Sequence, residues 1–290
     1  MFTGESDLPV LGCGVSLSFG MKPDPRELAL APGGPAFVEY AGAAQVESVR
    51  PHIDGLPVPV LFHPSCLNLC GPWPNPEPWL QAVAKHCRVV KTPWLAQDVA
   101  VCFVGDEPGY STQLGYFVPP MLTRDGLEHA VNRVDEVRRA IDVPVLLEPA
   151  PVTFRTGDIS IWAWLQELAE RTDSGLLLDA GHVLSHQLTL GRDPSDLHEL
   201  DLERVIEMHV AGGTLVDGLY TDAHDLPILP EVWALFEDLV ARCPRLRAIC
   251  LECEGGATHT VLPMLRQLRE RAWLLASNEA LRSELRSQLA

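Results

Sequence analysis

The amino-acid sequence predicts a single α/β domain with the fold of a (β/α)8 barrel, and three observations carry this prediction. Short apolar runs alternate with stretches of helical periodicity along the chain. Four of these runs end in a carboxylate or an imidazole, namely Glu148, Asp179, His209 and Glu252. In buried parallel sheets such residues converge beyond the carboxyl ends of the strands. The length of 290 residues is typical of one TIM barrel.

The elements follow in order along the chain. Strands are expected at residues 10–16, 36–40, 58–63, 89–96, 143–148, 176–179, 204–209 and 247–252. Helices are expected at residues 44–49, 78–86, 127–141, 159–171, 194–200, 231–242 and 260–271. We assign residues 1–275 to the barrel domain and residues 276–290 to a C-terminal helical tail, which is expected to be an exposed amphipathic helix.

An open doubly wound sheet is the main competing fold. Such a sheet usually carries a glycine-rich phosphate loop after its first strand. Here Gly12 and Gly14 lie at that place, but the third glycine of the fingerprint is missing. The sequence therefore favours the barrel and argues against a dinucleotide site.

The composition indicates which classes of partner the protein can bind and in which compartment of the cell it is expected. The net charge of −17 argues against nucleic acid, because proteins bind phosphates through Lys and Arg. Residues 1–10 lack the pattern of a signal peptide, and no apolar stretch reaches the length of a membrane span. We expect a cytoplasmic protein without a membrane partner.

The eight cysteines are scattered through a chain long enough to fold without disulfides, so reduced thiols are expected. Cys250 and Cys253 form a Cys-x-x-Cys motif without a second pair at zinc-site spacing. Strand alternation turns them to opposite faces, which favours burial over metal binding.

The four strand-end residues indicate a metal site when they are taken together. Charged groups gathered at the ends of buried strands repel one another or stay unsatisfied unless a cation or private ion pairs compensate them. Lys91 is the only basic residue near these strand ends, so ion pairs are in short supply. A metal cluster explains the pattern better.

Five other histidines differ in their sequence context. His63 ends an apolar strand. Taken alone, it is as consistent with a buried histidine whose hydrogen bonds are satisfied in the core as with a metal ligand. His52, His86, His129 and His198 are expected on the surface, because they lie in helices with charged neighbours or before a turn.

Further ligand types lie beside the seventh and sixth strands. Asp222 and His224 share one side of an extended loop, and Asp179 and His182 lie three residues apart at a strand-to-helix turn. The carboxyl end of the barrel then offers more metal ligands than one octahedral ion uses, which favours two or three metal ions. Carboxylates and imidazoles without thiolates suit iron or manganese, and iron is our first choice.

At these residues the sequence resembles a known family, the multinuclear non-haem iron-dependent oxidative enzymes. This family of TIM barrels includes the catalytic subunit of methanobactin oxazolone synthase and the peptide-modifying enzyme of 3-thiaglutamate biosynthesis. The resemblance covers roughly residues 58–255. Its blocks are Phe62-His63, Leu147-Glu148-Pro149, Leu178-Asp179-Ala180-Gly181-His182, Met208-His209-Val210-Ala211-Gly212, Thr221-Asp222-Ala223-His224-Asp225 and Leu251-Glu252.

The resemblance implies a set of iron ligands, and two positions depart from the family pattern. The implied ligands are His63, Glu148, Asp179, His209, Asp222, His224 and Glu252. His182 stands where the family commonly has Asn, and it is included as a substituted ligand. Where the family has a Ser-x-His block this chain reads Gln97-Asp98, which leaves Asp98 as a tentative ligand.

The activity that the resemblance implies is O2-dependent oxidation of a ribosomally made precursor peptide, at cysteine, by two or three iron ions. Family members often work with a partner or leader-binding protein, and a partner in trans is expected here. Two alternatives stay open at this point. One is a divalent-metal barrel of the xylose isomerase type, acting as an isomerase or endonuclease, and the other is a non-catalytic peptide-binding subunit.

Overall fold

A computed structural model describes residues 8–18, 20–42, 45–105, 112–191, 197–224, 227–253 and 256–289, and these form the predicted TIM barrel. Eight parallel strands close into one sheet. In chain order they are β1 (Gly12–Leu17), β2 (Val38–Gly42), β3 (Val60–Pro64), β4 (Leu95–Asp98), β5 (Val145–Glu148), β6 (Gly175–Asp179), β7 (Val205–Ala211) and β8 (Ala248–Glu252).

Each strand pairs with its neighbours in the chain, and β8 closes the barrel against β1. The register aligns the polar strand ends. Asp98 on β4 lies beside Glu148 on β5, and Asp179 on β6 lies beside His209 on β7. Because the strands are parallel, these side chains reach the same rim of the barrel.

The helices surround the sheet and bury one face each against it. They are α1 (Pro25–Leu30), α2 (Arg50–Ile53), α3 (Glu77–Val90), α4 (Arg124–Ala140), α5 (Ile161–Arg171), α6 (Ala180–Leu190), α7 (Pro230–Arg242), α8 (Thr258–Leu275) and α9 (Glu279–Leu289). The apolar residues between helices and strands form one large core.

A second apolar cluster fills the inside of the barrel below its carboxyl-end rim. It includes Leu61, Ala96, Leu146, Leu177 and Cys250. Each of these residues precedes a strand-end polar residue by two positions, so strand alternation places both in the interior. The polar residues therefore sit on an apolar floor that supports them from below.

The fourth strand was placed wrongly by the sequence pattern. The apolar residues Val89 and Val90 suggested a strand at 89–96, but both belong to the last turn of α3. The helix ends at Lys91, which adopts a left-handed conformation with φ 58°. The strand starts only at Leu95 and runs to Asp98, so Asp98 lies within it at its end.

A helix predicted at residues 194–200 was also wrong in its described part. Residues 194–196 lie outside the described residues, and residues 197–200 form a turn. The helix that follows β6 is α6, which begins directly after Asp179. In α6 the polar residues His182, Ser185, His186 and Thr189 recur at helical spacing, but the sequence analysis overlooked this signal, and residues 180–187 are all buried.

The expected helix at 44–49 is replaced by a short 3-10 turn, Val46–Ser48, followed by α2; Ala44 lies outside the described residues. Two antiparallel hairpins rise from the rim. One joins Val101–Val104 to Thr112–Val118 after β4, and the other joins Gly213–Val216 to Leu219–Asp222 after β7. We call the second one the β7 hairpin.

The C-terminal helix α9 is amphipathic as expected, but it is not exposed on all sides. Leu281 and Leu285 are fully buried, and α9 packs against α8 and β1. The Gln288 side chain accepts a hydrogen bond from the Cys13 amide and donates one to the Leu11 carbonyl, each at 3.0 Å. The tail therefore covers the end of β1 opposite the polar rim.

All eight cysteines are buried and none of them forms a disulfide within the part of the chain that the structure describes, as predicted. Cys250 faces the barrel interior and Cys253 packs into the outer core. Among the described helices, none is both long and apolar enough to cross a bilayer.

Candidate metal centre

The nine residues proposed as ligands from the sequence lie together at the carboxyl-end rim of the barrel. Six come from consecutive strands β3 to β8, namely His63, Asp98, Glu148, Asp179, His209 and Glu252. His182 lies in the first turn of α6, and Asp222 and His224 lie at the end of the β7 hairpin. Asp225, which belongs to the same sequence block, lies outside the described residues.

Most of these residues line one cavity. Its walls include His63, Asp98, Glu148, His182, Asp222, His224 and Glu252, together with Ser16, Ala41, Ser65, Phe117 and Pro151. Asp179 and His209 are fully buried and are held within this polar group by His182 and Glu252. No Lys or Arg of the described residues lines the cavity.

His63 lies between carboxylates on both sides of its ring. Its Nε2 is 3.3 Å from Asp98 Oδ2 and 3.4 Å from Glu148 Oε2. Its Nδ1 is 3.4 Å from Oε1 of Glu39, a residue of β2. The tentative ligand Asp98 thus lies directly in the site, beside the residues with which it was grouped.

The backbone orients His182. Its Nδ1 lies 3.1 Å from the carbonyl oxygen of Pro149, which can only accept a hydrogen bond, so in the neutral ring Nδ1 carries the proton. The lone pair of Nε2 then faces Asp222 Oδ2 at 3.6 Å. Asp179 fixes the backbone here, because its Oδ1 accepts the His182 amide at 2.8 Å and caps α6.

His209 and His224 contact Glu252 from two directions. Glu252 Oε1 is 3.3 Å from Nδ1 of His209, and its Oε2 is 3.5 Å from Nε2 of His224. His224 Nε2 also lies 2.9 Å from Asp222 Oδ2, which confirms that Asp222 and His224 share one side of the loop.

Two buried acids of the site were missed by the sequence analysis. Glu39 is 1% exposed and lies 3.2 Å from Nε2 of His209. Glu207 precedes His209 by two residues, and its Oε2 accepts a 2.6 Å hydrogen bond from the Trp94 indole. The sequence carried a signal for both, because each is a single acid within an apolar strand. A buried acid at such a position needs polar partners inside the barrel.

Two glycines make room for Tyr220 on the β7 hairpin: Gly181, which lies in one of the sequence blocks, and Gly213, which directly follows another. A Cβ at Gly181 would lie 2.4 Å from the Tyr220 hydroxyl oxygen, and one at Gly213 would lie 2.5 Å from its ring. The buried hydroxyl donates to the Gly212 carbonyl and lies 3.4 Å from Asp222 Oδ1. The glycines therefore let Tyr220 seat the hairpin that carries Asp222.

The imidazoles and the carboxylates shift one another's pKa. Burial alone would lower the pKa of His63, His182 and His209, but the adjacent carboxylates raise all three well above the usual range. Burial would raise the pKa of Glu252, but His224 and His209 lower it to about 2. The pKa of Asp222 is shifted in the same downward direction by His182 and His224.

Three acids, Glu148, Asp179 and Glu207, have pKa values shifted upward. Burial is the largest cause that raises the pKa of Asp179 to about 7; the attraction of His182 lowers it, and repulsion from Glu252 and Asp222 raises it. Burial and the charge of Glu39 raise the pKa of Glu207 to about 8. The site concentrates more negative charge than its histidines neutralise, which favours a cation.

The residues fit a multinuclear metal centre. Several buried atoms find no hydrogen-bond partner among the described residues: Glu39 Oε2, Asp98 Oδ1, Glu148 Oε2, Asp179 Oδ2 and both ring nitrogens of His209. Two groups of ligand atoms lie within 4.8 Å of one another, one from Glu39, His63 and His209 and one from His63, Asp98 and Glu148. Mixed carboxylate and imidazole donors suit iron, manganese or zinc.

The raised histidine pKa values predict how metal binding depends on pH. Because the carboxylates raise these pKa values, the imidazoles keep their protons to higher pH than free histidine does, and a metal ion must displace these protons to bind. We expect the affinity for Zn²⁺ or Fe²⁺ to increase with pH and to go on increasing above the ordinary histidine pKa of about 6.5, with release of protons. Calorimetry in two buffers of different ionisation enthalpy measures this release, and a pH-independent affinity without released protons would contradict the expectation.

Of the four histidines expected on the surface, three are exposed and one is not. His52, His129 and His198 lie at the surface. His86 is fully buried, because its ring stacks on Phe62 at 3.7 Å between centroids and its Nε2 bonds the Tyr40 hydroxyl. It belongs to the packing between α3 and the barrel, away from the metal centre.

Comparison with known proteins gives a family and several relatives. The family model for the RiPP precursor modification enzyme MbnB/TglH/ChrH matches residues 42–270. A UPF0276 protein of Streptomyces avermitilis is 30% identical over 190 residues, covering 64% of this chain and 39% of that protein. A UPF0276 protein of Anaeromyxobacter sp. (strain Fw109-5) is 27% identical over 223 residues, covering 76% and 73%. The chain thus spans well under half the length of the Streptomyces relative.

Solved structures share the barrel at low sequence identity. Endonuclease IV from Thermus thermophilus matches with a TM-score of 0.52 and 18% identity, covering 89% of this chain and 99% of that one. A xylose isomerase domain protein from Planctomyces limnophilus matches with a TM-score of 0.52 and 13% identity, covering 96% and 100%. At these identities the likeness shows the fold alone.

Proposed function

The chain belongs to the family of RiPP precursor modification enzymes MbnB/TglH/ChrH, and we propose that it is an iron-dependent oxidase of a ribosomally synthesised precursor peptide. RiPPs are ribosomally synthesised and post-translationally modified peptides. The proposed substrate position is a cysteine residue, and the proposed co-substrate is O2. The family match supports the peptide substrate, and the donor set at the barrel rim supports the metal.

One observation carries the proposal. Nine carboxylates and imidazoles from six strands, one helix and one hairpin lie together at the rim, and seven of them line one cavity. Within the described residues every ion-pair partner of the carboxylates among them is a histidine. Without cations this arrangement leaves buried charges uncompensated, which is strongly unfavourable. Two or three iron ions would balance it.

The geometry suggests which residues would hold each ion. His63, Asp98 and Glu148 form one group, and His182, Asp222 and His224 form another. Asp179, His209 and Glu252 lie between them. Glu148 Oε2 lies 3.4 Å from Nε2 of His63, whereas its Oε1 lies 3.1 Å from Nδ1 of His182, so one oxygen could bind an ion while the other orients His182. Iron bound there would supply O2 activation and a binding position for a thiolate.

The chain's own residues prepare the cavity for this chemistry. The apolar floor below the rim keeps water away from the buried side of the ligands. Phe117 and Pro151 line the cavity beside the ligands and give an approaching side chain apolar contact. Its wall also has small residues, Ala41 and Ser65, which leave space for a side chain such as cysteine.

We also propose that a partner protein acting in trans presents the peptide. The strongly negative chain, with a net charge of −17, would repel acidic peptides, so a partner that binds the leader segment would raise the local concentration of substrate. Co-purification as a 1:1 complex would support this, and full activity of the isolated chain would count against it.

The experiment that tests the function uses protein loaded with Fe²⁺ under anaerobic conditions. The protein is mixed with a cysteine-containing candidate precursor peptide and exposed to O2, and the peptide is analysed by mass spectrometry. We expect a mass change at a cysteine that requires both iron and O2. A peptide of unchanged mass in the presence of iron, O2 and a leader-binding partner protein would contradict the proposal.

A further inference from the structure

One buried carboxylate outside the predicted ligand set contacts two of the predicted ligands at once. Oε1 of Glu39 lies 3.4 Å from Nδ1 of His63 and 3.2 Å from Nε2 of His209. We propose that Glu39 is a positioning residue, which holds both imidazoles so that their opposite ring nitrogens face the metal ions. This inference rests on the proposed function, since it presupposes a metal centre.

The two nitrogens of His63 face different surroundings. Nε2 is directed at two of the proposed ligands, with Asp98 at 3.3 Å and Glu148 at 3.4 Å, whereas Nδ1 is directed at Glu39. A neutral imidazole offers one lone pair and one N–H. In the metal-bound protein the lone pair then belongs on Nε2, where the other donors gather, and the N–H belongs on Nδ1, which lies 3.4 Å from Oε1 of Glu39.

His209 shows the same division with its nitrogens exchanged. Its Nδ1 lies 3.3 Å from the proposed ligand Glu252, and its Nε2 lies 3.2 Å from Glu39 and 3.8 Å from Glu207. In the metal-bound protein Nδ1 of His209 then faces the metal ion, and the N–H belongs on Nε2, the nitrogen on the side of Glu39. One carboxylate thus sets the tautomers of two ligands.

The location of Glu39 suits this role. It is the second residue of β2, where its backbone pairs with Ser16 on β1 and with Leu61 on β3, so its side chain starts from a rigid position. Its side chain is almost fully buried. A histidine ligand that donates its second N–H to a carboxylate is held in one orientation and is a more basic ligand.

A direct ligand role for Glu39 makes the opposite prediction. Glu39, His63 Nδ1 and His209 Nε2 are close enough to surround one ion. In that arrangement each ring would bind through the nitrogen that faces Glu39, and its N–H would point at Asp98 and Glu148 or at Glu252. The position of the proton on each ring therefore separates the two roles.

The test uses the full-length protein loaded with Zn²⁺, which is diamagnetic, and labelled with ¹⁵N-histidine. Long-range ¹H–¹⁵N correlation spectra show which ring nitrogen carries the proton, and His63→Gln and His209→Gln variants assign the signals. We expect the proton on Nδ1 of His63 and on Nε2 of His209. Protons on the other two nitrogens would overturn the inference.

Substitution of Glu39 gives an independent readout by zinc content and chelator competition. Glu39→Gln keeps an acceptor oxygen, so we expect the wild-type number of zinc ions and an affinity close to wild type. Glu39→Ala removes the acceptor, and we expect the same number of ions with about 10- to 100-fold weaker binding. Loss of one zinc ion per chain in both variants would identify Glu39 as a ligand and overturn the inference.

Two matched controls accompany these variants. Glu47→Gln changes an exposed acid paired with Lys85, far from the barrel interior, and is expected to leave zinc binding unchanged. Glu148→Gln changes a proposed ligand and is expected to lower the zinc count. If Glu39→Ala fails to fold, the wild-type spectra and the zinc content of Glu39→Gln still show whether Glu39 positions the histidines or binds the metal itself. Wild-type protein without bound metal would overturn the proposed function itself, which is distinguishable from failure of the Glu39 assignment alone.

Discussion

Replacing His209 by alanine is expected to remove at least one iron ion per chain and to abolish peptide oxidation, while the barrel stays folded. His209 lies at the carboxyl end of β7 with 0% exposure and contacts Glu39 and Glu252. Residues at this face of a TIM barrel serve the site more than the core. Iron content by mass spectrometry, peptide turnover and circular dichroism measure the three expectations.

The matched control is His129→Ala, which removes an exposed imidazole from α4 and should leave iron content and turnover at wild-type values. Wild-type iron content in the His209→Ala protein would remove this residue from the ligand set. An unfolded variant would instead assign it a role in stability.

Deleting residues 276–290 is expected to destabilise the barrel strongly, although the deletion touches no residue of the metal centre. Leu281 and Leu285 are fully buried, and burial of each contributes about 1.5–3 kcal/mol. The deletion also removes the hydrogen bonds of Gln288 to Leu11 and Cys13. Because a domain is stable by only about 5–15 kcal/mol, we expect a large fall in the free energy of unfolding.

Single substitutions test the packing of α9 against the barrel with a smaller change to the protein. Leu285→Ala is expected to lower the free energy of unfolding by about 2–5 kcal/mol, as for other buried leucines. Arg286→Ala changes the exposed neighbour and serves as its control. Denaturant titration measures both, and equal stability of the two variants would show that α9 contributes little to the fold.

The barrel was predictable because its strands repeat one simple pattern. Apolar runs that end in Glu148, Asp179 and Glu252 revealed both the strands and the rim, since period-two alternation fixes which side chains face inward. The family resemblance inferred from these blocks is confirmed by the match over residues 42–270.

Acids that do not stand at the end of an apolar run were harder to find. Glu39 lies inside its strand and not at its end, because β2 continues to Gly42. Glu207 lies two positions before His209 and shares its face, so alternation alone would have placed it in the barrel. In both cases one acid within an apolar run was the available signal.

One helix was missed although the sequence carried a signal for it. In α6 the polar residues His182, Ser185, His186 and Thr189 recur at helical spacing, but most of them are buried and do not mark a face exposed to solvent. His86 was expected at the surface because charged residues flank it in α3, but its own position faces the barrel. When both faces of a helix carry apolar and charged residues, the sequence alone does not show which side chains pack against the barrel.

The most direct test of the metal centre is elemental analysis of protein purified without oxygen after expression in iron-supplemented medium, combined with Mössbauer spectroscopy. We predict two or more iron ions per chain, with spectra of at least one magnetically coupled pair. A single zinc, manganese or magnesium ion per chain, or no metal at all, would contradict a multinuclear iron centre.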